Sequence, residues 1–419
     1  MSNIFNKLFF NLIYLYMIVL PLAPSKYKYK SIPLNGDVIL ALIIVMYFIR
    51  ISFSEDTRAR LFNGIKDFLT DYLTISLSVL SFIMIISIFY SSDKKIALSE
   101  SARFISFVML FFILKYELHD KRTLDNIIKT YIFVCFLVFS IGIINCFSNT
   151  YVMNNNSLTL DRVKSTLENS NNLGAFAVLS VFPLVVLFLE QKDKIKKILY
   201  FIVSILAMLN IVLSQSRNAL IAFAIGCLIL CFIYSYKFII AFVLMGGIAY
   251  VVPQIHSRLL QITDSNQNEA RLKIWEIAFK IIKEHPIFGI GNGNFRSAYK
   301  QYIIKYPELK NKYGGTDIYH PHNIILKFQS ELGILGTFAF ISIAVSIPFK
   351  LKKFIRNTDS NFYKSFYKGF FISFVVFIFM NMIDNFFSVP KVIAFSWILI
   401  AVTQCLSYNS QFKDYKTIA

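Results

Sequence analysis

The chain has 419 residues, 56% of them hydrophobic and only 16% charged, with 44 phenylalanines and a mean hydropathy of +0.59. That composition lies outside the soluble globular class and describes a polytopic membrane protein. A formal charge of +19 in a soluble protein would suggest nucleic acid, but here the lysines and arginines sit mainly in short connections between apolar runs, where they set topology; no nucleic-acid partner is expected.

Taking about 20 apolar residues as the length that crosses a bilayer, the sequence predicts an all-α chain with roughly twelve transmembrane helices. They cover 8–23, 38–53, 72–90, 97–116, 127–147, 172–189, 195–213, 218–236, 238–253, 323–349, 369–387 and 392–406. The first has no convincing small-residue cleavage site and reads as an uncleaved helix. Cys135, Cys146, Cys227, Cys231 and Cys405 lie in apolar runs without CxxC spacing, which supports neither a disulfide framework nor a zinc site.

Basic residues concentrate in alternate connections: Arg58, Arg60 and Lys66; Lys115 to Lys129; Lys192 to Lys197; Lys237; and Lys350 to Lys368. These connections and both termini are expected to be cytoplasmic. Residues 1–253 then form transmembrane helices 1 to 9, 254–321 a large periplasmic loop, and 322–419 helices 10 to 12 with a cytoplasmic C-terminus. Arg162, Arg217, Arg271 and His322 all fall on the non-cytoplasmic face. The halves do not mirror each other and no repeat is visible, which weighs against a transporter.

Chemistry is expected in the stretch from Arg271 to Gly336, the longest that cannot sit in a membrane. Before it, Arg217 stands in LSQSRNALIAF where one span ends and the next begins. It is either a snorkelling interfacial arginine or part of an anion pocket completed by Ser214, Ser216 and the N–H groups of the helix start. Arg271 opens RLKIWEIAFKIIKEHP, an amphipathic helix most simply lying on the membrane surface and stopped by Pro286. Its guanidinium is either charge on a solvated face or a second fork for a phosphate.

Gly289, Gly291 and Gly293 have GxGxG spacing with no preceding strand, so they form a tight loop and not a nucleotide fingerprint. His320 and His322 in YHPHN precede an apolar helix. A metal is not expected, because Asp317 is the only carboxylate close in sequence. The readings left for His322 are a capping or packing residue and a general base on a hydroxyl. Glu331, one turn from Lys327, and Asp384, placed inside the span 369–387, are taken as supporting residues.

SQSRNAL, RLKIWEIAFKIIKEHPIFGIGNGNF and HPHNIILKFQSELGILG together resemble the O-antigen ligase and O-antigen polymerase superfamily of bacterial envelope glycosyltransferases. His322 and Asn323, followed by nine residues and then Gly333 to Gly336, match the pattern associated with the ligases. DRVKSTLENSNNLGAF resembles the family's earlier outer-loop motif, with Arg162 in place but without the usual glycine after it.

The resemblance implies an inverting glycosyltransferase of the inner membrane with a helical, GT-C-like fold. It would transfer a polysaccharide from undecaprenyl pyrophosphate to a sugar hydroxyl of lipid A-core at the periplasmic face. Arg217 and Arg271 would hold the pyrophosphate and His322 would be the base. Arg162, Ser216, His320, Asn323, Glu331 and Asp384 would support them, and neither metal nor nucleotide would be needed. The alternatives are a polymerase joining lipid-linked repeat units on the same carrier, a lipid-linked sugar transporter and a non-catalytic scaffold.

Overall fold

The computed structural model describes residues 3–24, 28–29, 32–33, 35–148, 152–154, 157–159, 162–234, 247, 265–310 and 318–418. Apart from two short antiparallel ribbons, Lys28–Tyr29 with Ile32–Pro33 and Val152–Asn154 with Ser157–Thr159, the regular elements described are helical. In chain order they are α1 (Asn3–Leu22), α2 (Gly36–Phe53), α3 (Glu55–Phe68), α4 (Tyr72–Tyr90), α5 (Lys94–Glu117), α6 (Lys121–Ser148) and α7 (Ser170–Glu190). There follow α8 (Lys194–Leu213), α9 (Arg217–Tyr234), α10 (Ser265–Glu284), α11 (Phe295–Lys305), α12 (Ile324–Asn357), α13 (Asn361–Asn381) and α14 (Pro390–Ile418).

Eleven described helices are long and apolar enough to cross a membrane, all but α3, α10 and α11. They correspond to eleven of the spans read from sequence; the remaining one, 238–253, lies outside the described residues apart from Gly247. Large apolar side chains such as Phe48, Phe82, Phe89, Phe232, Phe338 and Phe349 are more than half exposed, as expected where the surrounding solvent is lipid.

At the centre, α7 packs against α8, α9 and α13, and most of its length is buried. Hydrogen bonds cross between neighbouring helices there. Ser373 Oγ donates to the Val178 carbonyl (2.8 Å), Asn210 Nδ2 to the Phe139 carbonyl (3.0 Å), and Tyr131 and Ser180 share a 2.8 Å contact. Such bonds specify which helix faces meet, because lipid supplies no hydrophobic drive to sort them.

The connections segregate to two ends. At one, Arg60 forks onto Glu117 through 3.2 and 2.9 Å contacts, Arg50 reaches the same carboxylate at 3.2 Å, and Lys115 meets Asp67 at 2.6 Å. Glu190 joins Lys368 at 2.8 Å at that end too. The other end gathers the α4–α5 turn, the segment 162–169, the α8–α9 turn, α10, α11 and the starts of α12 and α14.

The connection 54–71 holds α3, which Ser54 caps by accepting from the Thr57 N–H at 3.3 Å. Three expectations are corrected. The apolar face of α10 is not laid on lipid, since Ile274, Ile277, Ala278 and Ile281 are buried against Phe295, Tyr299 and Tyr302 of α11 and Leu326 of α12, a small core separate from the bundle. The span at 369–387 ends early, because the Asn381 side chain accepts from the N–H groups of Phe386 (2.7 Å) and Phe387 (3.1 Å) and turns the chain; Asp384 therefore lies beyond the helix. Glu331 does not pair with Lys327: it accepts from the Gly293 N–H at 2.9 Å, while Lys327 Nζ donates to Ser388 Oγ at 2.6 Å.

The glycine loop is a structural joint. Gly289, Gly291 and Gly293 have φ of 68°, 98° and 72°, and Gly333 inside α12 has φ 66° and ψ −165°. At that break the Ile290 and Gly291 N–H groups donate to the Ser330 and Glu331 carbonyls (3.0 and 2.8 Å), and the Ile334 N–H donates back to the Pro286 carbonyl (3.1 Å). A Cβ on Gly333 would lie 2.0 Å from the Ile287 carbonyl oxygen. Gly333→Ala is therefore expected to cost about 1–3 kcal/mol from backbone strain alone, read as an earlier thermal unfolding in detergent and increased proteolysis within 286–294; unchanged unfolding and cleavage would remove the joint from the account.

Candidate active site

The turn between α13 and α14 is where remote segments meet. Asn218, next to Arg217, donates through Nδ2 to the Met380 carbonyl at 2.8 Å. Asn323, next to His322, donates to the Met382 carbonyl at 3.0 Å and also caps α12 by accepting from the Leu326 N–H at 3.0 Å. His322 itself lies 3.1 Å from Asp384, Nδ1 to Oδ1. The α9 start, the α12 start and this turn are thereby fixed against one another.

Arg271 arrives by a different route. The Trp275 indole N–H donates to the Pro321 carbonyl at 2.8 Å, tying α10 to the residue before His322. Arg271 is four residues earlier, so it lies on the same helix face as that indole.

Arg162 is anchored rather than poised. Its Nε donates to the Ser214 carbonyl (3.0 Å) and its Nη2 to Asn171 Oδ1 (2.6 Å), and the neighbouring Val163 N–H donates to the Leu213 carbonyl (3.1 Å). It holds the segment 162–169 against the turn that leads into Arg217. In that turn Gln215 has φ 48°, Ser214 Oγ accepts from the Ser216 N–H (3.2 Å), and Ser216 Oγ faces the Ala219 N–H at 3.5 Å. Both serines are buried. They are engaged with the start of the helix that carries Arg217.

The histidine pair has a defined hydrogen-bond order. His322 adopts φ 51°, an uncommon conformation for a residue with a side chain, and its backbone N–H donates to His320 Nδ1 at 3.3 Å. The two rings lie edge to face with centroids 4.5 Å apart. With Asp384 accepting from Nδ1–H, the His322 Nε2 carries the lone pair and is the atom free to take a proton. About a third of the His322 side chain is exposed, at 35%, against 13% for Asp384.

Burial, reinforced by the neighbouring His322, pushes the His320 imidazole down to about 3. Burial alone would raise Asp384, but the hydrogen bond from His322, the electrostatic influence of His322 and His320 and the Asn385 N–H hold its carboxyl below the usual range. His320, His322 and Asp384 place ligand atoms within 4.8 Å of one another, so in chemistry the group could also hold a metal ion.

The sequence reading singled out Arg217, Arg271, His322 and Asp384 but not what joins them. Asn218, Asn381 and Trp275 do that; the available signal was a polar side chain at or beside an apolar span.

His320 should keep a neutral imidazole in ring-carbon NMR at pH 5, and a protonated signature there would contradict its burial. Because its folded value is depressed, the unfolded chain takes up the proton first. Its contribution to stability is therefore full above about pH 6.5 and is lost as pH falls toward 3.

No curated protein matches the chain. Residues 202–341 match the family model described as O-antigen ligase, a stretch that contains Arg217, Arg271, His320, His322 and Asn323 and excludes Arg162 and Asp384. That match covers about a third of the chain, and together with a multi-pass helical bundle it makes the chain similar to the O-antigen ligase and polymerase superfamily.

Proposed function

We propose that the chain is an O-antigen ligase type glycosyltransferase of the bacterial inner membrane, with its site at the periplasmic face. It takes a polysaccharide from undecaprenyl pyrophosphate and joins it to a sugar hydroxyl of lipid A-core. The supporting observation is the His322–Asp384 contact at 3.1 Å, made at the same turn that anchors the residue after Arg217.

In this reading the acceptor hydroxyl oxygen attacks the anomeric carbon of the donor sugar. The bond from that carbon to the pyrophosphate oxygen breaks, and the electron pair leaves on pyrophosphate. His322 Nε2 takes the hydroxyl proton, and Asp384 holds the ring and stabilises the imidazolium that forms. Attack opposite the leaving group inverts the anomeric centre.

Arg217 and Arg271 meet the charge that grows on pyrophosphate, through planar forks suited to phosphate oxygens. Fixed guanidinium charge does the work that a divalent ion performs elsewhere. No metal or nucleotide enters the scheme. The family description and the ligase-like spacing from His322 to Gly336 favour lipid A-core over a growing repeat unit as acceptor.

Transfer measured with a purified lipid-linked donor should fall by roughly 10² to 10⁴ in His322→Ala. Asp384→Asn should lower kcat more than it raises KM. Arg217→Ala and Arg271→Ala should each abolish transfer with the protein still in the membrane at its normal level, and full activity in either would take that arginine out of the site. Chelators should leave the rate unchanged; loss with EDTA that zinc or magnesium restores would turn His320, His322 and Asp384 into metal ligands. Deletion of the gene should leave long polymer on the carrier lipid and bare core at the surface, whereas core bearing a single repeat would identify a polymerase.

A further inference from the structure

A cavity adjoins the site. It lies among α4, α5, α12 and α14, walled by Phe104, Phe107, Phe340 and Trp397 with the glycine loop's Asn292 beside it, and it measures roughly 50 Å³. Its polar lining includes Lys327, Arg103, Glu100 and Ser388.

Lys327 is nine-tenths buried, and its ammonium makes one side-chain hydrogen bond, to the neutral Ser388 hydroxyl at 2.6 Å. An ammonium has three donors, so two remain for a ligand. No carboxylate lies within 4 Å of it among the described residues. Arg103 is held by Glu100 through one Nη1 contact at 2.7 Å, leaving the rest of its fork available. Glu331, one turn away and beyond 4 Å, interacts with the ammonium electrostatically but does not touch it, and a buried cation without a carboxylate in contact is costly unless an anion completes it.

We propose that this cavity is an oxyanion subsite in which Lys327 and Arg103 grip a carboxylate or phosphate group of the substrate. The volume suits such a group and not a whole sugar ring. Ser388 links it to the site already described, since Asn385 Nδ2 donates to Ser388 Oγ at 2.9 Å and the Asn385 N–H donates to Asp384 at 2.9 Å. The proposal rests on the glycosyltransferase reading only for what carries the anion: an acidic sugar of the glycan, or the donor's pyrophosphate.

The test is direct binding to the full chain purified in detergent, with three probes: methyl β-glucuronide, the neutral methyl β-glucoside and inorganic pyrophosphate. Lys327→Gln and Arg103→Gln are compared with the wild type, and monodispersity and thermal unfolding confirm folding. Lys327→Gln should weaken at least one anionic probe by roughly tenfold or more, the loss of one charge-assisted hydrogen bond, with no binding of the glucoside above background.

Loss confined to the glucuronide assigns the cavity to an acidic sugar, and loss confined to pyrophosphate assigns it to the carrier. Equal affinity of wild type and both variants for both anions, or glucoside binding as tight as glucuronide, would overturn the subsite. A wild-type protein that binds an anion through Lys327 yet transfers no glycan would retire the transferase reading alone.

Discussion

Helix ends leave carbonyls without internal partners, and in a membrane-embedded bundle each must be satisfied by protein. The break after Asn381 is such a place. Asn381 takes the Phe386 and Phe387 N–H groups onto its own side chain, which stops α13; the Met380 carbonyl accepts from the Ile383 and Asp384 N–H groups (3.2 and 3.1 Å) and also from Asn218, and the Met382 carbonyl accepts from Asn323. Those two asparagines follow Arg217 and His322 directly in the chain. These bonds hold the starts of α9 and α12, and with them Arg217 and His322, against a common turn.

The same constraint explains the break in α12. A positive φ at Gly333 opens the ladder, and the glycine loop fills it by backbone hydrogen bonds to Ser330, Glu331 and Ile334. The loop is stitched on its other side to the α4–α5 turn, where Asn294 Oδ1 accepts from Ser92 Oγ (2.9 Å) and the Asp93 N–H (2.8 Å). Since α10 leads into this loop and α12 receives it, the placement of Arg271 relative to His322 follows from the joint as well as from Trp275. Lys391 anchors the remaining outer segment, donating to the Ala23 carbonyl (2.8 Å), the Thr166 carbonyl (2.9 Å) and Glu168 (3.1 Å).

Charge is distributed differently at the two ends. At the end away from the site, cations face carboxylates: Arg50 and Arg60 with Glu117, Lys115 with Asp67, Lys368 with Glu190. At the site end the buried carboxylates are occupied elsewhere, Asp384 by His322 and Glu331 by the Gly293 N–H. Among the described residues this leaves Arg271 and Lys327 without a carboxylate within 4 Å. In a region of low dielectric, fixed positive charge that the fold itself does not neutralise is worth most to an anionic ligand.

The amino-acid sequence alone determined the all-helical membrane class, the positions of the described spans and the likeness of residues 202–341 to the O-antigen ligase family model, because each depends on local apolar runs or short motifs. It also marked Arg217, Arg271 and His322, whose charges stand out against apolar surroundings. It placed Asp384 inside a span and offered Glu331 to Lys327, since i, i+4 spacing and hydropathy carry no information about a turn made by a side chain such as Asn381. The partnership of Asp384 with His322 spans 62 residues, and that of Asn218 with Met380 spans 162. Only the packed bundle decides such pairings, because they depend on which remote segments meet in three dimensions and leave no periodic trace along the chain.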